Sequence, residues 1–142
     1  MRILAVDPGS KNVGLAISDP SATIATALTT LPAKPPETLA ARIASAATDH
    51  SAERIIVGLP LRLDGSRGPE AAAALRLAGE VRKASGLPVQ MVDERLTTAA
   101  AERSLIEGGM GREKRRASID RVAAVILLQG HLDGMRRSNR AG

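Results

Sequence analysis

The chain has 142 residues, 44% of them hydrophobic, which suits one core and one domain, and no apolar run approaches the roughly 18 residues of a membrane span. It contains no Cys and no Phe, Tyr or Trp, which excludes disulfides, a thiolate nucleophile, cysteine-ligated zinc and aromatic stacking platforms for bases. A net charge of +5 and a pI near 10.7, carried by sixteen Arg against four Lys, favour an anionic partner gripped by guanidinium forks.

The first elements are "RILAVD" and "VGLAISD", short apolar runs on either side of the "PGSKN" turn. They read as a β-hairpin whose strands are covered on both faces. A third strand over "TIATALTTL" continues the meander until "PAKPP" breaks it. Pro35 and Pro36 then pre-set a helix with Leu39, Ile43, Ala46 and Ala47 on one face. "RIIVGLP" is a buried strand, and Asp64-Gly65 marks a turn in the loop after it. Pro69 opens an Ala-rich helix that closes near Gly86, and "LPVQMVDE" is the next strand. Thr97 or Thr98 can cap a short helix ended by Gly108 and Gly109, and "GREKRRASIDRVAAVILLQGHLDGM" is a longer last helix. The expected organisation is a single domain over 1–135 with a basic, disordered tail over 136–142. A meander followed by alternating strands and helices predicts an α/β mixed sheet.

Three acids stand out against this framework. Asp7 ends a strand that should be buried on both faces, where an uncompensated carboxylate costs several kcal/mol. Such turn aspartates often only accept bonds from nearby amides, but the carboxyl end of a strand is also where α/β sheets place ligands. Glu94 follows another buried strand at the same kind of edge, flanked by Asp93 and Arg95, and alternation alone leaves open which of the two acids faces inward. Asp120 sits on the last helix, on the flank of a stripe expected from Ile119, Val122, Ala123 and Ile126. Carboxylates gathered without imidazole or thiolate make a hard oxygen site suited to Mg2+ or Mn2+ and to phosphodiester chemistry, in which no side-chain nucleophile is needed. His50 and His131 read as surface caps.

The cations of "GREKRRASID" oppose the dipole of the helix they begin, a penalty that an external anion reverses. Lys114, Arg115, Arg116 and Arg121 are therefore candidate phosphate contacts, and Ser10 and Lys11 in the first turn could add another beside Asp7.

Four stretches in order, "AVDPGSKNVGLAISD", "VGLPLRLDGSRGPEA", "LPVQMVDERLTT" and "ASIDRVAAVILLQGHLD", resemble the YqgF/RuvX family of pre-16S ribosomal RNA nucleases, relatives of the Holliday junction resolvase RuvC. The resemblance spans nearly the whole chain. It implies an RNase H-like fold, a five-stranded mixed sheet in order 3-2-1-4-5 flanked by helices, with a metal-binding catalytic triad at Asp7, Glu94 and Asp120. It further implies a Mg2+- or Mn2+-dependent nuclease that matures the 5′ end of small-subunit ribosomal RNA. Its partners would be precursor ribosomal RNA or pre-ribosomal particles and no membrane, acting in the cytoplasm as a monomer or weak homodimer. Asn12 replaces an Arg common in the family, and Ala100 replaces a Glu that often follows the cap. The alternatives are a junction resolvase acting on branched DNA, which needs a symmetric dimer, and a non-catalytic RNA-binding factor of ribosome assembly. The two-domain actin-like ATPases, which open on a similar hairpin, need a far longer chain.

Overall fold

The computed structural model describes residues 1–96 and 112–141, with side chains described over 1–95 and 122–138. The order of elements is β1 (Arg2–Asp7), β2 (Asn12–Ser18), β3 (Ala25–Pro32), α1 (Pro36–Asp49), β4 (Ala52–Leu59), α2 (Pro69–Ser85), β5 (Val89–Asp93), a 3-10 turn (Glu94–Leu96) and α3 (Arg112–Ala141). The strands form one mixed sheet in order β3-β2-β1-β4-β5. Its β1, β2 and β3 are antiparallel neighbours, and β4 and β5 join as parallel strands, as expected when the connections change from tight turns to helical crossovers.

Alternation along the strands divides the core in two. Leu4 and Val6 of β1, Leu15 and Ile17 of β2, and Ile55 and Val57 of β4 face α1 and α2, where they meet Leu39, Ile43, Ala47 and Val81. Ile3, Ala5, Ala16 and Ile56 point the other way and meet Ala124, Leu127, Leu128 and Leu132 of α3. Runs that are apolar at every position are thus explained by cover on both faces. Ile43 is fully buried in the α1/α2 layer. Ile43→Ala should lower unfolding free energy by about 2–5 kcal/mol, read from urea denaturation.

The local signals explain the helix ends. Pro36 and Pro69 stand at the first turns of α1 and α2, where a missing N–H costs nothing. Gly86 closes α2 in the left-handed conformation at φ 70°, which only glycine adopts freely. The β2–β3 connection is organised by Asp19, whose Oδ1 accepts the amides of Thr23 at 2.8 Å and Ile24 at 2.9 Å. Those bonds, with the Ser21 hydroxyl, hold its carboxyl well below the usual range. Gln129 of α3 fastens the helix to the same region, accepting from the Ala25 amide and donating to the Thr23 carbonyl, each at 2.9 Å.

Two expectations for the last helix change. Its buried positions are Ala123, Ala124, Leu127, Leu128 and Leu132, with Val122 and Ile126 only partly buried. The stripe is therefore rotated from the one expected, since the sheet takes the row spaced four apart through 124, 128 and 132. The helix also runs on to Ala141, through the segment expected to fray. The short helix expected after Thr97 or Thr98 lies outside the described residues.

Candidate active site

Parity along the strands decides where the acids go. Asp7 shares the α3 face of β1 with Ile3 and Ala5, and it is only 1% exposed. Across the antiparallel pair it meets Gly14 of β2. On its other side the parallel register pairs Val6 with Val57, so Asp7 comes level with Gly58 of β4. Asp7 thus lies between two strands that present glycine beside it, a hollow in an otherwise filled sheet.

Glu94 enters this hollow from β5. Val92 packs in the α3 layer and Met91 in the α1/α2 layer, so alternation gives Glu94 the α3 face and Asp93 the opposite one. The side chain of Glu94 reaches across β4: a Cβ built on Gly58 would lie 2.6 Å from its Oε1. The carboxylate therefore sits over the strand next to β1, about one strand spacing, roughly 5 Å, from the line of Asp7.

Asp93 has a different engagement. It receives the Arg95 guanidinium at 2.8 Å and the Arg95 amide at 2.9 Å, and this holds its carboxyl below the usual range. Arg95 also donates to the Leu63 carbonyl at 3.4 Å, which ties the loop after β4 to the start of the 3-10 turn. This Asp93–Arg95 ion pair separates Asp93 from Glu94.

Asp120 lies on α3 one turn before Ala124, in the row that continues through the buried Leu128 and Leu132. Its side chain, like those of Lys114, Arg115, Arg116 and Arg121, is outside the described residues; all five positions are in the first three turns of the helix. Ser10 and Lys11 are exposed in the loop after Asp7. That loop is fixed by the Ala33 amide, which donates to the Lys11 carbonyl at 2.8 Å. Among the described residues no group of three His, Asp or Glu side chains is close enough to hold an ion, and Asp120 is not in that set. The fit to a divalent cation rests on donor chemistry: Asp7 and, over the adjacent Gly58, Glu94 supply hard carboxylate oxygens where the sheet carries no side chains.

The histidines divide. His50 caps α1, with Nδ1 3.0 Å from the Ala46 carbonyl. His131 corrects the surface-cap reading: it lies inside α3, partly buried, and burial together with nearby Arg54 lowers its pKa. The residue that sequence reasoning missed is Gly58. The signal was present, since a glycine inside "RIIVGLP" interrupts a run of β-branched residues, the mark of a close approach.

A five-stranded mixed sheet in this order, flanked by helices, is an RNase H-like architecture. RuvC of Thermus thermophilus, solved in complex with a Holliday junction substrate, superimposes with a TM-score of 0.61 over 97% of this chain and 96% of its own, at 18% identity. The family model described as "RuvX: Holliday junction resolvase" matches residues 1–134, and the chain belongs to that family. Curated relatives bear the name "Putative pre-16S rRNA nuclease": one from Chloroflexus aurantiacus is 47% identical over 96% of this chain and 89% of its own. Another, from Caldanaerobacter subterraneus, is 42% identical over 97% of this chain and 100% of its own. Among the described residues no helix is long and apolar enough to cross a membrane.

Proposed function

We propose that the chain is a cytoplasmic, divalent-metal-dependent nuclease that matures the 5′ end of the small-subunit ribosomal RNA precursor, acting through residues 1–135 as a monomer or weak homodimer. The observation that carries this reading is the Glu94 carboxylate lying over Gly58, the β4 position level with Asp7 on the neighbouring strand. Membership of a family whose curated relatives carry the pre-16S rRNA nuclease name supports the substrate. Asp7 and Glu94, with Asp120 from α3, would hold Mg2+ or Mn2+; bound there, such ions activate water and stabilise the leaving oxygen of a phosphodiester displacement. The protein's own share would be to hold these carboxylates at one rim of the sheet and to bring the scissile phosphate to them. Ser10 and Lys11 flank Asp7, and Lys114, Arg115, Arg116 and Arg121 flank Asp120, so the phosphate contacts would bracket the acids on both sides.

With no aromatic side chain in the chain, affinity for RNA should be mainly electrostatic. Replacing Lys114, Arg115 and Arg116 by Ala should lower the slope of log K against log[salt] by about 0.7 to 0.9 per lost contact, measured by filter binding at several salt concentrations; an affinity indifferent to salt would point to base readout instead.

The family description supports a second reading, a resolvase cutting branched DNA. Incubation of the purified protein with a precursor ribosomal RNA fragment and with a four-way DNA junction, each in Mn2+, Mg2+ or chelator, separates the two. Site-specific cleavage of the RNA alone supports the proposal, and symmetric cleavage of the junction alone replaces it. RNA binding without cleavage in any metal makes the protein an assembly factor.

A further inference from the structure

Gly58 is the only residue of β4 without a side chain, and nothing in its backbone asks for glycine. It lies in extended strand paired with Val92, and among the described residues the glycines at positive φ are Gly65 and Gly86. A Cβ at Gly58 would meet Glu94 alone among its three nearest neighbours, at 2.6 Å from Oε1 and 3.2 Å from both Cδ and Cγ. The first distance is far inside van der Waals contact. By contrast a Cβ at Gly79 or Gly134 would meet nothing within 4 Å.

We propose that Gly58 is a positioning residue for the Glu94 carboxylate: its missing side chain lets Glu94 lie across β4 and bring its oxygens beside Asp7. Any residue with a Cβ at this position displaces the carboxylate. The proposal rests on the reading of Glu94 as a catalytic ligand, and it makes an unusual demand on a glycine. What must move is the end of a flexible side chain, so the cost falls on the site and not on the fold, and Ala is otherwise the better residue in a strand interior.

The test uses Gly58→Ala, Glu94→Gln, Glu94→Asp and the double variant Gly58→Ala/Glu94→Asp, cleaving one structured RNA in Mn2+, with melting temperature and RNA affinity measured in chelator. Gly58→Ala should keep its melting temperature and RNA affinity while kcat falls about 10²-fold with little change in KM, the size of loss that an ångström-scale misplacement produces. In the Glu94→Asp background, where the side chain ends one methylene earlier, the same substitution should cost less than about threefold, a non-additivity expected only of residues in contact. Full activity of Gly58→Ala beside an inactive Glu94→Gln overturns the role of Gly58 and leaves the active-site reading standing. Full activity of Glu94→Gln overturns that reading and this one with it. A fall in melting temperature that accounts for the lost activity, or losses that simply add in the double variant, makes Gly58 a residue of the fold and overturns the proposal.

Discussion

Asp7→Asn should abolish cleavage while the protein remains folded, with a melting temperature in chelator equal to or above that of the parent. The argument begins with burial: Asp7 is 1% exposed at the end of a central strand, a position where charge is expensive to keep. It lies beside the strand over which Glu94 extends, and on the proposed reading these two like charges share one rim and oppose each other when no ion is bound. The amide of Asn has nearly the same shape as the carboxylate, so the packing of β1 against Ala5, Ala16 and the α3 layer is preserved while the repulsion is relieved. What disappears is a hard anionic ligand, for which a neutral amide is a poor substitute. Cleavage of precursor RNA in Mn2+ and thermal melting in chelator are the two measurements. Parental activity in Asp7→Asn would remove Asp7 from the site, and a melting temperature many degrees lower would make its carboxylate a structural group.

Much of this arrangement is legible in the residues, because the strong signals are local or periodic. Unbroken apolar runs at Ile3–Val6 and Ile55–Val57 announce strands covered on both sides, Pro36, Pro69 and Gly86 mark helix ends, and Asp7 and Glu94 stand at strand ends. The order of the strands came from family resemblance, since pairing between distant segments leaves no trace in composition or period. The choice between Asp93 and Glu94 was not legible either. An edge strand that is partly exposed on both faces, as Val89–Asp93 is, has no alternation to read, and only the neighbouring strand's Gly58 reveals which acid has room. The rotated stripe on α3 has a similar cause. Val122, Val125 and Ile126 are as apolar as Ala123 and Ala124, so hydrophobicity surrounds the helix and cannot say which row the sheet selects.

That rotation bears on the third acid and on the comparison that tests the whole site. Asp120 stands one helical turn before Ala124 and two before Leu128, and those two residues pack against the face of the sheet that carries Asp7. On the proposed reading, in which these carboxylates hold and aim the ions, Glu94→Gln and Asp120→Asn should each reduce Mn2+-dependent cleavage by at least about 10²-fold. RNA binding in chelator should change far less, since the proposed phosphate contacts are the cations of 114–121 and Lys11. Asp93→Asn is the internal control. Its carboxylate is already satisfied by Arg95 at 2.8 Å and points to the other side of β5, so its loss should leave cleavage within about threefold of the parent, and the exposed ion pair itself is worth little. Titrating Mn2+ against the cleavage rate of the three variants gives the result. Comparable losses in Asp93→Asn and Glu94→Gln would mean that the Asp93–Arg95 link to the Leu63 loop, and not the reach of Glu94 over Gly58, organises this edge of the site. Full activity of Glu94→Gln or Asp120→Asn in chelator-stripped buffer would rule out a metal-dependent mechanism for this protein.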